Sequence, residues 1–188
     1  ARSGKPYVYV ETIGGGNGAR YNKDGLDAVQ VHMTNSSNLP IESLEMEYPL
    51  LVKEYALEED SGGPGKYRGG LGIRRTICIL DESHDTMLAA ASTERSRTKP
   101  WGLMGGLGGA TSYLDIRHDG VKINEQNKVR NVPLQTGDTV TLVSAGGGGY
   151  GDPAEQDPEK VRRDYEEGKI SLETMKTCYP AAIKEENA

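Results

Sequence analysis

The run "SAGGGGYGDP", residues 144–153, places four consecutive glycines between a strand-like segment and a helix start. An ordered glycine costs about 0.5–1 kcal/mol of conformational freedom relative to alanine, so four in a row cost about 2–4 kcal/mol. A fold tolerates that cost only where something local offsets it. Because glycine makes up 25 of the 188 residues, the same constraint applies to several loops, which we expect to be shaped rather than flexible.

Two structures explain such a run. One is an anion cradle, in which free backbone N–H groups surround a phosphate at a helix N-terminus. The run lacks the Lys and Ser/Thr of a phosphate-binding loop, and the helix pattern begins only at Pro158. A second glycine run, "GGGNGA" at 14–19, has dinucleotide-binding spacing but no helical pattern after it. We therefore favour the second structure, in which the glycines form bulges, crossovers and close backbone contacts.

Composition excludes several classes of partner. The net charge is −6 and the basic residues are dispersed among acids, so neither nucleic acid nor an anionic membrane is an expected partner. The longest apolar run, residues 87–91, is far too short to cross a bilayer. Cys78 and Cys178 lack metal-ligand or disulfide-scaffold spacing, which favours a cytoplasmic location.

Alternating apolar and polar residues predict a β-dominated body. The expected strands are "YVYVET" (7–12), "AVQVHM" (28–33), "LLVKEYAL", "LGIRRTICIL" as a central strand, "TMLAAAST", "KVRNVPL" and "DTVTLVSA". The segment after Pro40 is ambiguous and is predicted as a short turn leading into a strand. Asp119-Gly120 between two alternating runs predicts a two-residue type I′ hairpin.

The carboxyl-terminal residues predict two short helices. Asp157 and Pro158 suit a helix start and Gly168 a left-handed stop, while Ser171 suits the cap of a second helix that ends before Pro180. The predicted fold class is α+β, with a β-dominated sheet or sandwich body over residues 1–150 and a short helical tail over 151–188. We expect the two parts to form one domain, and the absence of an initiating Met suggests a fragment of a larger chain.

Several long glycine-punctuated segments occur in order along nearly the whole chain. They are "ETIGGGNGAR", "HMTNSSNLPIESLE", "YPLLVKEYALEEDSGGPGKYRGGLGIRR", "PWGLMGGLGG" and "SAGGGGYGDP" followed by "DPEKVRRDYEEGKIS". Together they resemble the carboxyl-terminal part of the hydantoinase B family, which includes N-methylhydantoinase, 5-oxoprolinase, and the acetone and acetophenone carboxylases. The chain looks like roughly the last third of such a protein.

The resemblance implies an ATP-dependent cyclic amide hydrolase acting on a small-molecule substrate. It implies a hydantoinase A-type subunit or domain that handles ATP, an upstream part of the hydantoinase B polypeptide that carries a divalent metal, and an oligomeric enzyme. It implies no cofactor bound by this segment, whose histidines, at 32, 84 and 118, lack the spacing of a local ligand pair. The isolated segment is expected to be inactive.

The segment "HMTNSSNLPIE" contains the candidate catalytic residues His32, Asn35 and Glu42. Polar groups on a loop held by rigid strands are where functional sites concentrate. In the functional interpretation, His32 and Asn35 line the substrate pocket of the intact enzyme, and Glu42 orients His32 or transfers a proton. In the structural interpretation, the asparagines stabilise turns and His32 lies on a polar face.

Other polar residues receive structural predictions. Glu11 is expected to be a buried acid that organises a loop by accepting backbone N–H bonds, and Trp101 to pack on the adjacent glycine segment. His118 is predicted to be a surface residue without a role. Arg95 and Arg97 suit either a carboxylate or phosphoryl clamp or a solvated loop, and the solvated loop is favoured.

Two alternatives to the hydrolase remain at this point. The first is part of an acetone or acetophenone carboxylase-type subunit, which these residues do not separate from a hydrolase. The second is a non-catalytic assembly module whose surface docks the A-type partner. Substitution of His32 or Asn35 in the intact enzyme distinguishes a substrate site from an assembly module.

Overall fold

Two antiparallel sheets organise the chain in a computed structural model that describes residues 6–30, 34, 36–80 and 87–184. The strands are β1 (Leu50–Leu57), β2 (Ile73–Ile79), β3 (Met87–Ser92), β4 (Tyr113–His118), β5 (Val121–Lys122), β6 (Lys128–Leu134) and β7 (Thr139–Val143). The larger sheet has the order β1-β2-β7-β4-β5, and β3 pairs with β6. No helix within the described ranges has the length and apolar character needed to cross a membrane.

The apolar faces of the two sheets share one core. Its buried members come from both sheets and from the helix before β1: Leu44, Leu50, Ile79, Leu114, Ile116 and Leu134. Partly buried side chains of β3 and β6, including Met87 and Val132, pack against this cluster. The predicted β-dominated α+β class is therefore confirmed, because seven strands and a few short helices make up the regular structure of the described residues.

The most clearly patterned strands are where the sequence predicts them. The run "LGIRRTICIL" forms β2, which lies inside the larger sheet between β1 and β7. The Asp119-Gly120 hairpin is confirmed, since both residues have positive φ, 47° and 79°, and join β4 to β5. This agreement follows from local chemistry, because a type I′ turn requires two residues that tolerate positive φ.

Two amino-terminal strand predictions are wrong over the described residues. Residues 7–12 carry no strand assignment, and in residues 28–30 a single bridge joins Val29 to Gly15. Ala28 has a φ of 53°, which interrupts an extended strand. Residues 31–33 lie outside the described ranges. Alternation orients side chains to two sides of an extended chain, but a strand also needs a neighbour that pairs along it.

The segment after Pro40 forms a helix rather than the predicted turn. Helix α1 spans Ile41–Glu47 and places Leu44 in the core with no exposed surface. Pro49 follows it closely, so the helix ends where proline disfavours helical conformation in the preceding residue. Burial of Leu44 decides a segment whose local sequence is ambiguous.

The carboxyl-terminal helices follow their predicted caps. Helix α2 spans Pro158–Glu166, with the Asp157 side chain accepting from Glu159 N–H, and Gly168 has a φ of 68°. Helix α3 spans Leu172–Cys178, and the Ser171 side chain accepts from Thr174 N–H. The pair prediction misses a third short helix, α4 (Ala181–Lys184), which follows Pro180 directly and contributes the buried side chain of Ala182. A single turn of 3-10 helix, Pro153–Glu155, precedes α2.

Polar contacts join these helices to the glycine-rich loops. The buried Arg68 side chain donates to Asp164 of α2 at 2.9 Å, and Asp60 accepts from Ser171 N–H at 2.8 Å. The Tyr179 hydroxyl accepts from Gly65 N–H at 3.2 Å. The bounds of the body and the tail stay a prediction. These contacts show that residues 60–68, which belong to the predicted body, bind the helices of the predicted tail.

Residues 146–149 lie among three other backbone segments, and together we call them the glycine bundle: residues 14–19, 61–72, 100–110 and 144–150. A Cβ atom at Gly146 would overlap the Ser61 carbonyl, and one at Gly148 would overlap the Trp101 carbonyl. At Gly147 it would overlap the Asn17 carbonyl, and at Gly149 the Pro64 carbonyl. Successive residues therefore face different neighbours, and each position excludes a side chain.

Backbone hydrogen bonds hold the glycine bundle together. Gly147 N–H donates to Gly70 O at 2.8 Å, and Gly149 N–H donates to Leu107 O at 2.9 Å. Ala19 N–H donates to Gly148 O at 2.9 Å. The predicted close backbone contacts are thus confirmed, and they supply the local interactions that offset the cost of ordering glycine.

The substitution Gly147→Ala should destabilise the protein by about 1–3 kcal/mol. Its methyl group would overlap the Asn17 carbonyl, which the surrounding backbone holds in place. The matched control is Gly18→Ala, since a Cβ there meets only Gly148 O, at 3.9 Å, and the residue has no left-handed φ. Urea unfolding followed by circular dichroism measures both variants. Equal midpoints for the two variants would contradict the packing explanation.

Candidate functional site

The structure places the predicted site residues unequally. His32 and Asn35 lie outside the described residues, and Glu42 is exposed in the first turn of α1. The proposed roles of these three residues therefore stay predictions. The described part of the same loop, residues 36–40, contacts a buried charged cluster. The sequence predicts one member of this cluster, Glu11, but not its partner Arg75.

Asn38 anchors this loop to the amino-terminal segment. Its side-chain amide donates to Glu11 Oε1 at 2.9 Å and to the Thr12 carbonyl at 3.0 Å. Leu39 N–H donates to the same Glu11 oxygen at 2.8 Å. The predicted role of Glu11 as a buried loop organiser is confirmed, because one carboxylate oxygen fixes both a side chain and the backbone of the loop.

The other oxygen of Glu11 faces an arginine on the central strand. Arg75 Nη1 lies 2.6 Å from Glu11 Oε2, and the two side chains are 1% and 8% exposed. The contact is an ion pair outside hydrogen-bond geometry, and Arg75 Nε and Nη2 have no hydrogen-bond partner among the described residues. A buried guanidinium with so few partners is held mainly by the charge of Glu11.

Two tyrosines complete the cluster, which we call the Glu11–Arg75 site: Glu11, Arg75, Asn38, Tyr9 and Tyr55. The Tyr9 hydroxyl donates to Glu11 Oε2. The Tyr55 hydroxyl donates to Asn38 Oδ1 at 3.0 Å, and the Arg75 guanidinium carbon lies 5.0 Å from the centroid of the Tyr55 ring. Tyr55 therefore contacts both the arginine and the loop, in a cation–π arrangement with Arg75.

These contacts determine the protonation of the site. Burial favours the neutral acid, but hydrogen bonds from Tyr9, Asn38 and Leu39 and the charge of Arg75 outweigh it and hold the pKa of Glu11 below its ordinary value of 4.5. Burial and the bond to Glu11 raise the pKa of the Tyr9 hydroxyl. Glu11 thus stays an anion that accepts hydrogen bonds, which suits positioning rather than proton transfer.

An open depression of about 620 Å³ lies beside the cluster. It is lined by residues 8–12, residues 36–40 and Tyr48. The tyrosine rings of residues 9 and 48 have centroids 5.7 Å apart, so one wall is aromatic. Glu11 and Asn38 supply polar groups to the same lining, so the depression has both aromatic and polar walls.

A metal ion does not fit the described residues as a resident group. Within these ranges no set of three or more His, Cys, Asp or Glu side chains comes together in a ligand arrangement. Both oxygens of the Glu11 carboxylate already have partners in the cluster. The described residues therefore supply no metal site of their own.

Sequence reasoning missed Arg75. In "LGIRRTICIL" the two adjacent arginines lie on opposite faces of the strand. Arg75 alternates with Ile73 and Ile77 and therefore lies on the same face as these apolar residues. Charge on the buried face of a central strand is the signal that marks this residue.

Two further residues differ from their predictions. The Trp101 ring is exposed and the Arg95 guanidinium lies 4.8 Å from its centroid, whereas the Trp101 carbonyl lies against Gly148. His118 Nδ1 lies 2.6 Å from the buried Asp138 carboxylate, which raises the pKa of the histidine. His118 is therefore a structural partner of Asp138 rather than an uninvolved surface residue.

Comparison with known proteins shows the family of this chain. The model of the Hydantoinase B/oxoprolinase family matches residues 1–153. The chain belongs to this family. The B component of a candidate D-/L-hydantoinase from Pseudomonas sp. strain NS671 is 37% identical over 179 residues, which are 94% of this chain and 30% of that protein. The 5-oxoprolinase of Dictyostelium discoideum is 38% identical over 144 residues, 76% of this chain and 11% of that protein.

A solved structure of a related protein has the same fold. The ATP-dependent caprolactamase from Pseudomonas jessenii superposes with a TM-score of 0.77 and 28% identity, over 91% of this chain and 30% of that one. This chain thus spans less than a third of the length of each of these three relatives. The sequence resemblance to hydantoinase B is confirmed.

Replacing Glu11 should destabilise the protein strongly. In Glu11→Gln the Arg75 charge stays buried without its counter-ion, and breaking a buried pair in this way costs about 3–5 kcal/mol. The control is the double variant Glu11→Gln with Arg75→Met, which removes the orphaned charge and should be more stable than Glu11→Gln alone. Urea unfolding midpoints give both values, and a single variant as stable as the double one would contradict the ion-pair explanation.

The pH dependence of stability should show the same carboxylate. Because the folded pKa of Glu11 lies below 4.5, its contribution is complete above about pH 4.5 and is lost as the pH falls through the folded value. Stability to thermal unfolding, measured between about pH 3 and pH 7, should therefore fall less steeply in acid for Glu11→Gln than for the wild type. Parallel curves would assign the acid sensitivity to other groups.

Proposed function

We propose that this chain is the carboxyl-terminal part of an ATP-dependent cyclic amide hydrolase of hydantoinase or oxoprolinase type. The proposal rests on the names of three relatives, hydantoinase, 5-oxoprolinase and caprolactamase, which point to substrates of one chemical class. Hydantoin, 5-oxoproline and caprolactam each contain an amide within a ring. The common reaction is hydrolysis of that ring amide, and the name of the caprolactamase states its dependence on ATP.

The division of labour extends this proposal. A hydantoinase A-type subunit or domain binds ATP, and the remaining part of the hydantoinase B polypeptide supplies a divalent metal. The name of the Pseudomonas hydantoinase relative describes it as one subunit of its enzyme, which supports an assembly of more than one polypeptide. This segment, inactive alone, contributes a positioned loop to the substrate pocket of a cytoplasmic oligomer.

Within the segment, His32 and Asn35 line the pocket and contact the cyclic amide. The Glu11–Arg75 site supports this role, because Asn38 and Leu39, three and four residues after Asn35, are hydrogen-bonded to Glu11. A pocket wall that is anchored at these two residues loses less entropy when substrate binds. Glu42 orients His32 or transfers a proton, and its exposed position on α1 leaves it accessible to a partner.

The test is turnover by the complete enzyme, with the A-type partner and the full hydantoinase B polypeptide. His32→Ala should lower kcat by about 10²-fold or more if the imidazole transfers a proton, and Asn35→Ala should raise KM or lower kcat. The control is His118→Asn, which removes a histidine paired with Asp138 outside this loop. Steady-state assays with hydantoin and 5-oxoproline, with and without ATP, give the values.

The outcomes separate the alternatives. Normal turnover in both loop variants, with intact assembly, would favour a non-catalytic assembly module. ATP-dependent carboxylation of a ketone in place of ring opening would favour an acetone or acetophenone carboxylase-type subunit. Loss of ring opening in the loop variants, with unchanged association of the partners in size-exclusion chromatography, would support the hydrolase site.

A further inference from the structure

Four large apolar side chains project from one glycine-rich loop. Trp101, Leu103, Met104 and Leu107 are 64%, 52%, 77% and 47% exposed. We call residues 101–107 the Trp101 loop. Single exposed apolar residues are normal on protein surfaces, but four within seven residues concentrate exposed apolar surface on one loop, and such concentrations mark interaction sites.

The backbone of the Trp101 loop is fixed while its side chains point outward. Leu103 N–H donates to Gly149 O at 2.9 Å, and Gly151 N–H donates to Leu103 O at 3.0 Å. Leu107 N–H donates to Pro64 O at 2.7 Å. The loop is therefore part of the glycine bundle, and it presents the apolar side chains on a rigid base, which lowers the entropic cost of binding.

Two residues at the loop have conformations that non-glycine residues rarely adopt. Met104 has a φ of 51° and Arg95 has a φ of 61°. The Arg95 guanidinium lies over the Trp101 ring at 4.8 Å. Backbone strain persists where the surrounding structure enforces it, and it concentrates at functional positions. Here it accompanies an arginine–tryptophan stack and an exposed methionine, three residue types that are enriched in protein interfaces.

The segment that leads into the Trp101 loop is positively charged. Arg95, Arg97 and Lys99 are exposed in this segment. The only acid between them and β3, Glu94, pairs with Lys128 at 2.9 Å. This local positive charge contrasts with the net charge of −6 for the whole chain. A partner surface with an apolar groove and Asp or Glu at its edge is complementary to it.

We propose that the Trp101 loop docks against the part of the hydantoinase B polypeptide that lies outside these 188 residues. This inference rests on the proposed function. The chain spans 30% of the Pseudomonas hydantoinase component and 30% of the caprolactamase chain, so more than two thirds of the length of such a polypeptide is available to cover the patch. Two copies of this segment meeting through the patch would bring their Arg95, Arg97 and Lys99 side chains together, which disfavours self-association.

The surface that receives the Trp101 loop is thus an apolar groove with carboxylates at its edge, and it belongs to the same polypeptide. Trp101 and Met104 fill the groove, and Arg97 and Lys99 contact the carboxylates. Since the two parts are covalently linked, the effective concentration is high and the contact forms without a separate association step.

Cross-linking in the complete hydantoinase B polypeptide with its A-type partner tests the proposal. A photoreactive phenylalanine analogue at residue 104 should cross-link to a peptide of the same polypeptide outside this segment. The control places the analogue at Tyr21, which is 74% exposed and lies outside the loop, and it should yield no such peptide. A second variant, Trp101→Ala with the analogue retained at 104, should lower the cross-link yield by about tenfold or more, as expected for removal of a central anchor.

Each outcome decides the proposal. A same-polypeptide product identified by mass spectrometry from position 104 but not from position 21 supports it. Cross-links confined to the A-type partner, cross-links to a second copy of the hydantoinase B polypeptide, or no cross-link at all overturn it. Because the measurement records contact rather than turnover, an enzyme that cross-links but carboxylates a ketone in place of opening a cyclic amide would reject the proposed function and retain the docking surface.

Discussion

Contact between bare backbones at residues 146–149 is the constraint on which the rest of this structure depends. At each of these positions the nearest neighbour of a hypothetical Cβ is a carbonyl oxygen of another segment, so hydrogen bonds such as that from Gly147 to Gly70 form only without side chains between. Hydrogen bonds connect the glycine bundle to the rest of the protein. The Ser144 hydroxyl binds the start of β2, and the loop of residues 60–68 binds the helical tail. The same bundle fixes the Trp101 loop, and rigid loops on a sheet scaffold are a common arrangement for binding surfaces.

The Glu11–Arg75 site plays a comparable part for the loop before α1. A buried ion pair contributes little net stability compared with apolar packing, but loss of one partner is costly, so such pairs favour one arrangement over others. Here the arrangement that is favoured is the attachment of Asn38 and Leu39 to Glu11. The proposed function gives that loop a chemical context, the binding of a cyclic amide in a pocket assembled with other parts of the enzyme.

Much of this structure could be predicted from the sequence alone. The family was expected from the resemblance of its glycine-punctuated segments. The β-dominated class, the central strand β2, the Asp119-Gly120 hairpin and the capped helices α2 and α3 depend on local patterns, such as residues that tolerate positive φ and side chains that cap a helix. The role of Glu11 as a buried acid that accepts a backbone N–H bond was also predicted, but the donors Asn38 and Leu39 come from a distant loop and not from the adjacent glycines.

Tertiary structure decided the features that require distant segments. Arg75 pairs with Glu11 across 64 positions of sequence, and α1 forms because the core buries Leu44. The Trp101 carbonyl lies against Gly148 while the ring is exposed. Residues 7–12 have the alternation of a strand without the assignment of one. Sequence patterns report what each residue prefers near its neighbours in the chain, whereas burial, pairing and clash depend on which segments meet in space.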